Sequence, residues 1–300
     1  MKKYLLVLTA IFAVSELFAL GFSTVIKGKS GKFSTCEWES DPHNNPVPMR
    51  GKPGRKDYVW LKTRNKDFVI DMPVECKGLS VMYDTRAVMD GKKLTTKEIY
   101  FNHGGWTKSV NFLKLRKSQV ALNGSLQFSV WEKCKEMGSS TLYLEDTKMD
   151  MTGNIMFTMP AIYVKPVKNH SGATIDLTGN SQINAKGELV LDSIMAEMPD
   201  LHFRLVFNEK DGKMPSISVK SANVSNAELK VNVKGKLKKG VYPLLASTGK
   251  KAPTGKFRSI TFNGKNVSLG STTAQGGLDY TIKLGSLDGK SQKDYILEVK

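Results

Sequence analysis

Ala173-Thr174-Ile175-Asp176-Leu177 and Leu229-Lys230-Val231-Asn232-Val233-Lys234 alternate apolar and polar side chains without a break. A period of two places every second side chain on the same face, which is the pattern of a strand with one side buried and one side in water. Phe203-Arg204-Leu205-Val206-Phe207 and Tyr280-Thr281-Ile282-Lys283-Leu284 repeat it. Working outward, short β segments rich in aromatic and β-branched residues fill the chain from Tyr58: Tyr58 to Leu61, Phe68 to Ile70, Leu79 to Tyr83, Ile99 to Phe101, Leu126 to Trp131, Thr141 to Leu144 and Ile155 to Phe157. Between them fall Asp90-Gly91, Asn123-Gly124, Gly179-Asn180, Asp211-Gly212, Asn263-Gly264 and Asp288-Gly289, dipeptides that supply the positive φ of tight turns. No window of 11 residues holds a 3.6 period, and only Thr95 to Ile99 and Ser193 to Met198 suggest a single helical turn each. The chain reads as all-β. Sandwich, barrel and solenoid share this texture. The absence of an exact repeat of 20–50 residues argues against propellers and calcium-binding nonapeptide arrays.

Composition limits the function classes. The 300 residues are 40% hydrophobic and 24% charged, enough for a sizeable core and too apolar for wholesale disorder. Lys+Arg 45 against Asp+Glu 28 gives +17 and a pI near 9.6, a balance that draws the protein to polyanions. Four histidines and three cysteines leave little stock for zinc or iron–sulfur sites, so neither a metal nor a cofactor is expected.

The N-terminus reads as a cleaved export signal over residues 1–21. Met1-Lys2-Lys3 is positive, Tyr4 to Val14 is apolar apart from Thr9, and Ala19 and Gly21 are the small residues that signal peptidase requires. Cleavage is expected after Gly21, with Ala19 as the alternative. Glu16 interrupts the apolar run well short of the roughly 20 residues needed to cross a bilayer. No later stretch reaches that length, so no transmembrane segment is expected in the mature chain, whose charge would be +16. A periplasmic, extracellular or cell-surface location follows.

Cys36, Cys76 and Cys134 make an odd count, so an oxidising compartment should produce one bridge and one thiol. Cys36–Cys76 is the expected pair, on their proximity in the N-terminal region. All cysteines and all four tryptophans (Trp38, Trp60, Trp106, Trp131) precede residue 135. The division expected is a signal over 1–21, a basic, loop-rich cap over 22–56 and a β body over 57–300, with a candidate sub-boundary near 135–170.

Two stretches select among the β architectures. Cys36-Glu37-Trp38-Glu39, Pro46-Val47-Pro48 and Lys56-Asp57-Tyr58-Val59 resemble the opening of autotransporter-like secreted parallel β-helix proteins of the pectin-lyase-like kind. Gly240-Val241-Tyr242-Pro243-Leu244-Leu245, with Phe257 to Gly264, Leu278 to Leu284 and Tyr295 to Val299, resembles their closing strands. Gly153-Asn154-Ile155, Gly172-Ala173-Thr174-Ile175 and Gly187-Glu188-Leu189-Val190-Leu191 look like rungs opened by a glycine. The resemblance implies a single-stranded right-handed parallel β-helix, a solenoid with an N-terminal cap. It departs from autotransporters in lacking a membrane barrel before Lys300. At about 22 residues per rung the body would hold on the order of a dozen rungs.

Catalytic motifs are missing. His43, His103, His170 and His202 are scattered, and no G-x-S-x-G, G-x-G-x-x-G or P-loop occurs. Phe101-Asn102-His103-Gly104-Gly105-Trp106 reads as a polar loop rather than a sugar site, and Glu145, Asp146 and Asp150 as turn carboxylates rather than a calcium site or an acid/base pair. Basic groups recur at Arg50 to Lys56, Lys114 to Lys117, Lys234 to Lys239 and Lys250-Lys251. The expected function is a secreted, non-catalytic, adhesin-like interaction protein for acidic polysaccharide or cell-surface glycan, not nucleic acid. Its candidate binding residues are Lys236, Lys238, Lys239, Arg50 and Lys52. A carbohydrate-active lyase or hydrolase is the alternative, and would need an Arg or Lys beside carboxylates on adjacent rungs.

Overall fold

The computed structural model describes residues 21–25, 30–40, 48–49, 51–102, 104–105, 109–129, 136–158, 171–191, 201–249, 251–286 and 293–300. Their strands sort into three large sheets and a two-stranded one, with no helix among the described residues. From Tyr58 the chain visits the large sheets in a fixed order. Tyr58–Lys62 joins the first, Asp67–Ile70 the second and Val74–Glu75 the third, and Gly78–Met82 then returns to the first beside Tyr58–Lys62. The cycle recurs up to Leu189–Leu191, Leu201–Asn208 and Ser216–Val219, making six complete circuits. A seventh touches the first sheet only through the Leu189↔Ala222 bridge before Glu228–Asn232 and Gly240–Ser247. Neighbouring circuits pair in parallel throughout this run.

The alternation seen in the sequence now has a direction. In the second sheet Phe68, Ala87, Leu113, Leu142, Ile175, Leu205 and Leu229 stand in register and are buried. In the first sheet Val59, Leu79, Ile99, Leu126, Ile155 and Leu189 do the same, and in the third Leu94, Val120, Met149, Ile183, Ile217 and Leu245. Phe101 stacks on Phe128 with ring centroids 4.8 Å apart, and Phe157 meets Phe203 at 5.7 Å. One continuous core runs from Phe33 to Val299, passing through Leu142, Ile155 and Ala173 without a break. Polar partners such as Asp176 and Lys230 point outward, so each parallel sheet has a wet face.

Corners carry their own ladders. Lys117 (φ 46°) and Asp146 (φ 47°) take the left-handed conformation in register between the second and third sheets, and their N–H groups bond the carbonyls of Glu145 and Thr178 on the next circuit. Thr63, Thr85, Asn111 and Ser140 are buried at the first-to-second corner. There the Thr63 N–H donates to Thr85 Oγ1, the Thr85 N–H to Asn111 Oδ1, and Asn111 Nδ2 to Ser140 Oγ. Gly153 and Gly187 open first-sheet strands, as their sequence context suggests, because a Cβ on Gly187 would stand 2.4 Å from the Gly153 carbonyl oxygen. Gly172 lies instead inside the second sheet, opposite His202.

Several expectations are corrected. Thr95 to Ile99 is no helical turn: it spans the end of Lys93–Thr96 and the start of Ile99–Asn102. Ser193 to Met198 and Asp288-Gly289 lie outside the described residues. Asp211-Gly212 and Asn263-Gly264 are hairpin turns, whereas Asp90-Gly91, Asn123-Gly124 and Gly179-Asn180 sit at corners between sheets. Circuits are longer and fewer than about 22 residues and a dozen, since the in-register step grows from 19 residues (Phe68 to Ala87) to 33 (Leu142 to Ile175). The added length falls mostly between first- and second-sheet strands, for instance between Ile155–Thr158 and Ser171–Thr178.

Both ends leave the parallel pattern. Glu37–Glu39 and Pro48–Met49 add antiparallel strands beside Gly21–Val25, and buried Trp38 meets Phe33 edge-on at 5.0 Å. Asp294–Val299 pairs antiparallel with Gly240–Ser247, followed by Leu278–Gly285 and Thr272–Gln275. These additions cover strand edges that would otherwise template aggregation.

Candidate polyanion-binding corner

At the second-to-third corner most turns are short, but two in succession are loops, over residues 209–215 and 233–239. The first is a tight hairpin: Lys210 and Lys213 exchange backbone hydrogen bonds of 3.1 and 3.0 Å around Asp211 (φ 54°) and Gly212 (φ 71°). Two stacked contacts hold the second. Glu209, 7% exposed, accepts the N–H of Gly212 at 2.7 Å through Oε1 and that of Gly235 at 2.6 Å through Oε2. On the other side Asn263 Oδ1 accepts the Val233 N–H at 2.7 Å, while Asn263 Nδ2 and Gln275 Nε2 donate to the Val233 carbonyl. Leu237 is buried and anchors the loop to the core.

This frame presents Lys213, Lys234, Lys236, Lys238 and Lys239 to solvent. None of these five forms an ion pair with another described residue. Alternation around Leu237 places Lys236 and Lys238 outside, as expected, although the segment is loop rather than strand. Lys213 escaped the sequence reading because Asp211-Gly212 looked like a turn and nothing more. Glu209, 26 residues from Gly235, had no sequence signal at all.

The remaining candidates lie elsewhere. Arg50 is outside the described residues. Lys52 is exposed near the first circuit, beside Arg55, which pairs with Glu75 at 3.3 Å. At about 4.8 Å per parallel strand, six steps put it about 30 Å from the 233–239 loop, so it belongs to no common patch with Lys236. Cys36 and Cys76 are not bonded to each other: the Cys36 thiol donates to the Glu37 carbonyl at 3.0 Å, and Cys76 is buried in the core, where burial pushes its thiol up to about 11. Cys134, His43, His103, Trp106 and His170 lie outside the described residues.

Glu145, Asp146, Asp150 and Glu228 are held by pairing. On the outer face of the second sheet Lys210 bonds Glu145 and Asp146 at 2.8 Å each, and Lys114 bonds Glu145 at 2.9 Å while lying 4.4 Å over the Tyr143 ring. Lys210 and Lys114 hold the Glu145 carboxyl below its ordinary range. Burial pushes Glu228 up, but Arg204 at 2.7 Å and His202 at 2.5 Å outweigh it and keep Glu228 ionised. Asp150 is held by Asn184 and Lys148 at the edge of a shallow groove of about 460 Å³ on the third sheet. Asp176 is the exception, pushed up to about 6 by burial against the opposing hydrogen bond from Asn208. No group of three or more His, Cys, Asp or Glu among the described residues is placed to hold a metal ion. No described helix is long and apolar enough to cross a membrane.

Comparison with protein-family models, with curated proteins and with solved structures finds no match for this chain.

Proposed function

We propose that this chain is an exported, single-stranded, right-handed parallel β-helix that acts as a non-catalytic interaction protein, binding acidic polysaccharide through the 209–215 and 233–239 corner. The observation that carries this reading is the Glu209 clamp, which fixes two stacked loops bearing five exposed lysines. A fixed array of like charges costs little further ordering when a polyanion binds, and it concentrates field in one place. The right hand is supported by the rule that parallel strands joined by a crossover connect right-handedly in nearly all known cases. The export signal at residues 1–21 supports a compartment rich in acidic glycans.

The test is salt-titrated binding of the mature protein to heparin and to alginate. Substituting Lys236, Lys238 and Lys239 together by Gln should weaken binding at low salt and flatten its salt dependence, because fewer counterions are released. Binding that ignores this substitution would remove the proposal.

A carbohydrate-active enzyme is the second reading, favoured by Asp176, whose carboxyl near pKa 6 shares the second-sheet face with Lys114 and Tyr143. Such a carboxyl can exchange protons near neutrality. Turnover of a uronate-containing polysaccharide that disappears in Asp176→Asn would establish this reading instead.

A further inference from the structure

The parallel circuits end with Ser259–Phe262, and Leu278–Gly285 and Asp294–Val299 follow as closing antiparallel strands. Between residues 255–260, residues 266–269 and the strand ends at Leu284 and Tyr295 lies a cleft of about 840 Å³. Its size falls within the range of small-molecule sites, about 300–1,000 Å³.

The floor of the cleft is apolar. Phe257, Ile260, Val267 and Leu284 line it and are only partly buried while packing against the core. Tyr295, buried beneath, meets Phe257 edge-on at 4.8 Å and stiffens that wall. The rim is cationic. Lys256 and Arg258 line the opening and are exposed, and Arg258 is oriented by donating from Nη2 to the Leu201 carbonyl at 3.0 Å. No carboxylate is among the described lining residues. An apolar trough with two exposed cations at its rim matches one chemistry: a single aliphatic chain ending in a negative group.

We propose that this cleft binds a single-chain anionic amphiphile of the fatty-acid class, its chain over Phe257, Ile260, Val267 and Leu284 and its carboxylate between Lys256 and Arg258. This site is distinct from the lysine corner: none of its lining residues lies within 209–215 or 233–239.

Fluorescence of 11-(dansylamino)undecanoate added to the mature protein, displaced by octanoate, decanoate and dodecanoate below their micellar concentrations, tests this. One saturable site is expected, with affinity rising about fourfold per added methylene, the gain for burying one CH₂. Decanol should bind more weakly than decanoate. Lys256→Gln with Arg258→Gln, both at exposed positions, should weaken decanoate about tenfold or more and leave decanol unchanged. Ser268→Trp, which fills the cleft from its exposed wall, should abolish probe binding while heparin binding and the thermal transition stay as in the parent. Absence of saturable binding, affinity independent of chain length, or indifference to both variants would overturn the proposal. Failure of heparin binding alone would leave this site standing and remove only the polysaccharide reading.

Discussion

Glu209 Oε2 accepts the backbone N–H of Gly235 at 2.6 Å while its other oxygen accepts that of Gly212 at 2.7 Å, so one buried carboxylate joins two loops that are successive in the stack. Both donors are main-chain groups, and neither loop has a strand to satisfy them. Glu209→Ala should therefore remove two hydrogen bonds to a charged acceptor, worth about 1.5–3 kcal/mol each. Urea unfolding should report that loss. Heparin affinity should fall as well, though no lysine is touched, because the array is no longer fixed. Glu209→Gln, which keeps one acceptor oxygen, should fall between the two.

Asp176 should make stability depend on pH in the opposite sense to its neighbours. Its folded pKa of about 6 lies above the ordinary 3.8, so the folded state holds the proton more tightly. The folded state therefore loses stability as pH rises from about 4 to 6 and bears the whole cost above that, up to about 3 kcal/mol for two pKa units. Asp176→Asn should raise stability at pH 7, leave it nearly unchanged at pH 4 and remove that part of the pH slope. Thermal unfolding at both pH values measures it, and an equal effect at both would contradict the assignment.

Gly153→Ala should be poorly tolerated for a reason invisible in its φ. A Cβ there would stand 2.4 Å from Ser125 Oγ and 2.6 Å from the Gly124 carbonyl, and the Gly153 N–H already bonds that carbonyl at 2.8 Å. The circuits would have to separate locally. A loss of about 1–3 kcal/mol, typical of overpacking, is expected in urea unfolding; at Gly264, where nothing lies within 4 Å, alanine would meet only the strain of its positive φ.

How much of this was legible follows from particular residues. Ile175, Leu177, Leu229 and Val231 point inward and Asp176 and Lys230 outward because a period of two is written directly in the sequence. The corners were hidden because Lys117 and Asp146, not glycines, hold the positive φ there, and stacked hydrogen bonds rather than local propensity place them in it. Circuit length is hidden because added residues fall between strands and leave the strand pattern untouched. Lys236 and Lys238 stood out as a charge run, but their support did not: Glu209, Asn263 and Gln275 come from separate turns and strands. The cleft was equally silent, since its floor draws on Phe257, Val267 and Leu284, which share no motif.

Asp211 offers a test of the basic corner by a gain of affinity rather than a loss. It is the exposed carboxylate at the tip of the first loop, two residues from Lys213, and Gly212 beside it approaches the Lys236 carbonyl. A negative charge there repels the same polyanion that the lysines attract. Asp211→Asn removes the charge and keeps the turn, because asparagine tolerates the φ of 54° and Asn-Gly is a favoured two-residue hairpin turn. Heparin affinity should rise, by about two- to fivefold at low salt, the effect of one exposed charge at about 0.5–1 kcal/mol. The gain should shrink once the Debye length drops to about 3 Å near 1 M salt. An increase with the thermal transition unchanged identifies this corner as the contact. Unchanged affinity, with the parent still binding, would place the polysaccharide on another face.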